Sequence, residues 1–76
     1  MKIYLAMRDY SIDGYHRSVY VMEIFNSEDK AKDFIEHHIE TAYRVPKSFI
    51  YEEKNNKWIE DDFDEDIYYI EEREVK

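Results

Sequence analysis

A run of acidic side chains near the end of the chain is the first place where these residue types could do chemistry. The segment EDDFDED, residues 60–66, holds six acids in seven positions, and four large apolar residues follow it directly. Three of its aspartates stand at positions 1, 3 and 5 of a calcium-binding loop: Asp62, Asp64 and Asp66. The match then ends, because position 6 requires glycine and is Ile67, while position 12 requires glutamate and is Arg73. We therefore expect no calcium site.

The same acids suit a second role, the imitation of a nucleic-acid backbone. In an extended chain every second side chain points to the same side, about 7 Å apart. Carboxylates at positions 60, 62, 64 and 66 would then form a row of negative charge, which Glu71, Glu72 and Glu74 would extend. Lys and Arg side chains that bind phosphate would be attracted to such a row. The alternative is a solvated loop that only keeps the domain soluble and protects a sheet edge.

The charge of the chain is unevenly distributed. Residues 52–76 hold eleven acids and four Lys or Arg, a net charge of −7, whereas residues 1–51 have a net charge of −1. Such a surface repels nucleic acid and anionic membranes. It predicts a basic protein surface as partner, with no direct contact to nucleic acid or membrane.

The residue types that usually carry catalysis or bind metals lack a suitable context. There is no cysteine, and none of the serines stands in a nucleophile-elbow or triad pattern. His37 and His38 are neighbours on a predicted helix and point about 100° apart, while His16 lies on another element. A ribonuclease built on His16 and Arg17 would need a positive charge to hold RNA. We predict a non-enzyme without metal or cofactor.

The elements that would position these residues can be predicted from hydrophobic periodicity. Residues 2–8 alternate as a strand, and Asp13-Gly14 is a turn dipeptide. Residues 18–25 are β-branched and aromatic on both faces, which predicts an interior strand paired to the first. From residue 28 to about 43 apolar residues recur at helical spacing, after Ser27 as a cap.

A second hairpin and a last strand complete the predicted domain. Pro46 ends the helical region, and SFIYEEK and KWIE flank Asn55-Asn56, which tolerates the left-handed conformation of a tight turn. Residues 67–75 form the last strand. The order β-β-α-β-β-β predicts a single α+β domain over residues 1–76, with one amphipathic helix on an antiparallel sheet of four or five strands.

With these elements placed, the chain resembles small uncharacterised phage and bacterial proteins that carry a domain of unknown function. The resemblance rests on the N-terminal strand MKIYL, on FNSEDKAKDFIE at the helix start, and on the closing strand YYIEEREV. It implies a ββαβ-type fold and a mobile-element origin. It assigns no catalytic residue, and the EDDFDED run lies outside the shared pattern.

These observations lead to a functional prediction. We expect a phage-encoded, non-catalytic inhibitor in the cytoplasm of the host cell, which occludes a nucleic-acid-binding or defence protein with its acidic surface. Its predicted contacts are Trp58, Glu60, Asp61, Asp62, Phe63, Asp64, Glu65, Asp66, Glu71 and Glu72. Because one helix covers only one sheet face, a homodimer is also expected. The alternatives are a self-associating assembly protein and a small-molecule-sequestering protein with its pocket at a dimer seam.

Overall fold

The computed structural model describes residues 1–11, 15–43, 47–61 and 66–76, and these residues form an α+β fold. One α-helix packs on a five-stranded antiparallel sheet, in the predicted order β-β-α-β-β-β. The elements are β1 (Lys2–Ser11), β2 (Arg17–Phe25), α1 (Glu28–Thr41), β3 (Phe49–Glu52), a 3-10 turn (Glu53–Asn55), β4 (Lys57–Glu60) and β5 (Asp66–Glu74). The predicted breaks at Asp13-Gly14 and Pro46 lie outside the described residues.

The strands are arranged in the order β2-β1-β5-β4-β3, so the first and last strands of the chain are paired. β1 pairs with β2 over nearly its whole length and with β5 on its other side. The prediction that β2 is an interior strand is therefore wrong. β2 is apolar on both faces for another reason: one face lies on the helix side of the sheet, and the other belongs to the uncovered sheet surface.

The helix begins and ends close to the predicted positions. The Ser27 hydroxyl accepts a hydrogen bond from the backbone N–H of Lys30 at 3.3 Å, and two acids occupy the first turn, where the helix dipole favours negative charge. At the other end, the N–H of Ala42 donates to the carbonyl of His38 at 2.9 Å. Ala31 and Ile35 are fully buried on the inner face, which ties the helix to the sheet.

The core lies between the helix and the sheet. Ala6, Ile35, Trp58 and Tyr68 form its buried centre, and Phe25, Phe34, Ile39, Phe49 and Ile70 are among the residues that pack around it. Burying a large apolar side chain contributes about 1.5–3 kcal/mol. Burial on this side of the sheet therefore stabilises the fold, and Leu5 and Met7 are also buried on the opposite side.

The turn between β3 and β4 confirms the prediction made for the asparagine pair. Asn56 adopts the left-handed conformation, with φ 48° and ψ 52°. Its side chain accepts a hydrogen bond from the Tyr51 hydroxyl at 2.8 Å and donates one to Glu28 at 2.9 Å. The second hairpin is thereby attached to the start of the helix.

Candidate functional site

The predicted contact residues are distributed over different environments. Four of them, Asp62, Phe63, Asp64 and Glu65, lie outside the described residues. Asp61 and Glu72 are exposed, and Glu71 is half-buried. Trp58, Glu60 and Asp66 are buried, each at least 94%. These three side chains contribute to the interior and not to an exposed contact surface.

The predicted row of carboxylates cannot contain both Glu60 and Asp66, the two ends of the acidic segment. Glu60 is the last residue of β4 and Asp66 is the first of β5, and these two strands are antiparallel. The backbone N–H of Asp66 donates to Glu60 Oε2 at 3.3 Å, so the two acids lie side by side across the chain reversal. The prediction placed Glu60 and Asp66 at opposite ends of a straight row, whereas the antiparallel pairing of β4 with β5 brings these two residues together.

Asp66 is the centre of a polar cluster on the helix side of the sheet. Its Oδ1 accepts hydrogen bonds from Arg8 Nη2 at 2.8 Å and Nε at 3.2 Å, and its Oδ2 accepts one from the Tyr43 hydroxyl at 2.9 Å. The hydroxyls of Tyr43 and Tyr68 are 2.7 Å apart. Lys47 Nζ lies 3.2 Å from Glu60 and 3.8 Å from Asp66. Both buried acids are thus neutralised by the chain's own basic groups.

The environment of this cluster shifts the pKa values of its members. Burial opposes the charge on Arg8, but hydrogen bonds with Tyr20 and Asp66 outweigh it, and the pKa of Arg8 is raised. Burial also raises the pKa of the Tyr43 and Tyr68 hydroxyls. Burial and the nearby Arg8 lower the pKa of His38. Among the described side chains, every buried nitrogen or oxygen has a hydrogen-bond partner, so the cluster is a satisfied structural network.

The two acids near the end of β5 are also paired within the molecule. Glu71 contacts Arg73 at 3.3 Å, and Glu72 contacts Lys2 at 3.1 Å, and all four side chains are at least 40% exposed. Adjacent strand residues point to opposite faces of a sheet. Glu71 and Glu72 therefore cannot belong to one flat contact patch.

The face of the sheet opposite the helix is apolar, and its edge strands are exposed, whereas Leu5 and Met7 on the central strand are buried. One row of directly paired residues crosses all five strands on this face: Val19, Asp9, Ile67, Ile59 and Ile50. A second row contains Val21, Met7 and Tyr69, and a third contains Ile24 and Leu5. The edge-strand side chains of these rows are about half exposed, from 45% at Val21 to 57% at Ile50. We call the strand residues that point this way the open face.

The charges of the open face are balanced. Its three carboxylates and three basic groups are Asp9, Arg17, Glu52, Lys57, Glu71 and Arg73. Arg17 Nε lies 2.9 Å from Asp9, and Glu52 is paired with Lys57 in the register of β3 and β4. The net charge of −8 therefore resides outside these six residues.

Chemistry that needs a metal or a membrane finds no support in the described part of the chain. No three His, Asp or Glu side chains within residues 1–11, 15–43, 47–61 and 66–76 are grouped so that they could hold a metal ion. In the same ranges, no helix has both the length and the apolar composition needed to cross a membrane.

The sequence did not reveal the cations that neutralise the buried acids. Arg8 and Asp66 are 58 positions apart, and Tyr43 is 23 positions before Asp66. Contacts over such separations depend on the strand order, which local patterns do not contain. The open face was visible in the sequence, because the strands are apolar at both odd and even positions.

Comparison with protein-family models, with curated proteins and with solved structures finds no match to this chain. The resemblance to phage and bacterial proteins therefore stays a prediction.

Proposed function

We propose that this chain is a non-catalytic protein-binding module that self-associates through its open face. The observation behind the proposal is an apolar sheet surface, half exposed at both edges, whose charged residues sum to zero in a chain of net charge −8. Large exposed apolar patches in soluble proteins mark interaction sites. A second copy of the same chain is the occupant that the balanced charge favours.

The preference for a second copy follows from electrostatics. Two copies that each carry −8 repel one another over most of their surface. On the open face, paired charges such as Asp9 and Arg17 allow an isologous contact in which each acid can meet a base of the partner. Two sheets then pack face to face at about 10 Å separation.

The size of the open face predicts a dimer of low affinity. Five strands about 4.8 Å apart, the longest of nine or ten residues, give a face on the order of 500 Å² in projection. Two such faces bury on the order of 1,000 Å², which is near the lower limit of specific interfaces. We therefore expect a weak dimer that is populated at about 100 µM and dissociates on dilution.

Sedimentation equilibrium tests this proposal. The wild-type chain should be dimeric at about 100 µM, and Val21→Lys should raise the dissociation constant at least about tenfold, because it places a charge among the exposed apolar side chains of the open face. Ser18→Lys is the matched control, since it adds the same charge to the same strand on the opposite, exposed face. A monomeric wild-type chain at that concentration would refute the proposal, as would equal weakening by both variants.

The acidic-inhibitor function is a second candidate, which the net charge of −7 in residues 52–76 favours. In this reading the chain is phage-encoded and occludes a basic, nucleic-acid-binding host protein. With Trp58, Glu60 and Asp66 buried, and with Glu71 and Glu72 on opposite faces of β5, the contact would rest on residues 61–65.

A pull-down from host lysate separates this candidate from self-association. Changing Asp61, Asp62 and Asp64 to Asn should abolish capture of a basic host protein. The control changes three exposed acids elsewhere: Asp29→Asn, Asp33→Asn and Glu53→Gln. Both triple variants have the same net charge. Equal capture by the two would exclude a specific role for the acidic segment.

A further inference from the structure

A groove separates the second half of α1 from the β3–β4 hairpin. Its volume is about 340 Å³, and it is lined by Glu36, Ile39, Glu40, Phe49, Tyr51 and Trp58. The volume lies at the lower end of the range of small-ligand sites. The groove is on the helix side of the sheet, because Trp58 and Phe49 pack with Ile35. It is therefore separate from the open face.

Aromatic rings form one wall of the groove. The rings of Tyr51 and Trp58 are 4.7 Å apart at an interplanar angle of 38°. Tyr51 is 37% exposed, whereas Trp58 lies in the core and is only 5% exposed. The face of an aromatic ring carries partial negative charge and attracts cations. Such a wall favours a cationic group over a neutral or negative one.

Two carboxylates form the opposite wall. Glu36 and Glu40 are one helical turn apart on α1, both are exposed, and both line the groove. Within the described residues, neither has a basic group within 4.0 Å, in contrast to Glu60, Asp66, Glu71 and Glu72. These two acids thus keep their negative charge available to a ligand.

A basic side chain of the protein already lies against this aromatic wall. Lys32 Nζ is 5.2 Å from the centre of the Tyr51 ring, and Lys32 is one turn before Glu36. The nearby Tyr51 hydroxyl and the charges of Glu28 and Glu36 raise the pKa of Lys32. The edge of the groove is therefore an environment that stabilises a positive charge.

We propose that this groove binds a basic side chain of a partner protein, with arginine preferred. The flat guanidinium can stack on an aromatic ring while its N–H groups donate to a carboxylate, which a lysine ammonium cannot do in the same geometry. The contact adds a hetero-partner site to the proposed self-association. It does not depend on the open face, so a monomeric chain would still bind through it.

Titration of the full chain with a blocked Gly-Arg-Gly peptide tests the proposal. In two-dimensional ¹H–¹⁵N NMR spectra, saturable shifts should appear at Glu36, Glu40 and Tyr51 and at the indole N–H of Trp58, the only tryptophan. The same peptide with citrulline, which is neutral but of similar shape, should bind at least about fivefold more weakly. Equal binding of the two peptides would overturn the proposal.

Charge-matched variants locate the site. Glu36→Gln with Glu40→Gln should weaken binding of the arginine peptide at least about fivefold. The control, Glu23→Gln with Asp33→Asn, makes the same change in net charge at exposed positions outside the groove and should leave affinity within about twofold. All four substitutions are at exposed positions, so both variants should fold. Equal weakening by the two pairs would indicate non-specific attraction and would refute the site.

Two further titrations test the aromatic wall and the source of the cation. Tyr51→Leu should weaken binding of the arginine peptide, because a cation over a ring contributes about 0.5–1 kcal/mol at exposed sites, a factor of two to five. Choline should bind more weakly than the arginine peptide, because it lacks N–H donors for Glu36 and Glu40. Tighter binding of choline would assign the groove to a small quaternary ammonium ligand and overturn the proposal of a protein partner.

Discussion

Asp66 lies where the last strand meets the polar side of the core, and it contacts residues from three other parts of the chain. It accepts from Arg8 on β1 and from Tyr43 after the helix, and it lies near Lys47 before β3. A buried carboxylate is stable only when its charge is compensated and its oxygens accept hydrogen bonds. Here both conditions are met, so Asp66 fixes several elements relative to one another.

Removing the charge of Asp66 should destabilise the fold. Asp66→Asn leaves Arg8 without its counter-ion and leaves only one acceptor oxygen for both Arg8 and Tyr43, and we expect a loss of about 2–4 kcal/mol in the free energy of unfolding. Urea denaturation measures it. Glu72→Gln is the control, because the Lys2–Glu72 pair is at least half exposed and should contribute less than about 1 kcal/mol. Similar losses in both variants would contradict the structural role of Asp66.

His38 gives the fold a dependence on pH. Its ring lies 5.4 Å from that of Tyr68 and 6.4 Å from that of Phe34, and burial and Arg8 lower its pKa below the ordinary value of 6.5. Above pH 6.5 the ring is neutral in both the folded and unfolded states, so the stability is fully present. As the pH falls, the unfolded chain binds the proton first. Stability is therefore lost as the pH falls below 6.5 and through the folded-state pKa.

A pair of matched substitutions measures this effect. His38→Gln should reduce the difference in unfolding free energy between about pH 7.5 and pH 5.5. Thr41→Gln, at an exposed position of the same helix, should leave that difference unchanged, because it removes no titratable group. Urea unfolding at the two pH values provides the measurement. An unaltered pH dependence in His38→Gln would show that other groups cause it.

At the level of the elements, the sequence predicted what local chemistry determines. The helix was correctly placed, since Ser27 and the spacing of Ala31 and Ile35 are features of neighbouring residues. The arrangement of the strands within the sheet was not predicted, because the pairing of β1 with β5 joins the two ends of the chain. The same limit explains the acidic segment. The local composition predicted a solvent-exposed row of carboxylates, whereas the antiparallel pairing of β4 with β5 places Glu60 and Asp66 in the interior.

The turn at Asn56 is the local feature that the second hairpin depends on. Asn56→Ala should cost about 1–2 kcal/mol, because alanine disfavours the left-handed conformation and the hydrogen bonds with Tyr51 and Glu28 are lost. Asn56→Gly should cost less, since glycine adopts this conformation without strain. Thermal unfolding would rank the two variants. A greater loss in the glycine variant would show that the backbone conformation is not the main contribution.

Over the whole molecule, three surfaces carry different chemistry. The open face is apolar with balanced charge, the groove beside α1 joins aromatic rings to exposed carboxylates, and the excess of negative charge lies outside the open face. Because the open face is neutral and apolar while the rest of the chain is acidic, self-association and binding of a basic partner would use different surfaces. In the proposed function, copies of the chain would meet at the open face, while the acidic surfaces would attract a basic partner protein.

Salt should act on these two kinds of contact in opposite directions. Raising NaCl from about 0.1 M to about 1 M shortens the Debye length from about 10 Å to about 3 Å. This screens the repulsion between two copies of charge −8, so the dissociation constant of the dimer should stay the same or fall. Binding of the arginine peptide should weaken, since it rests on the attraction of Glu36 and Glu40 for a cation. Sedimentation and NMR titration at both salt concentrations measure the two effects. Salt-induced dissociation of the dimer would mean that charge pairs, and not the apolar rows of the open face, hold the copies together.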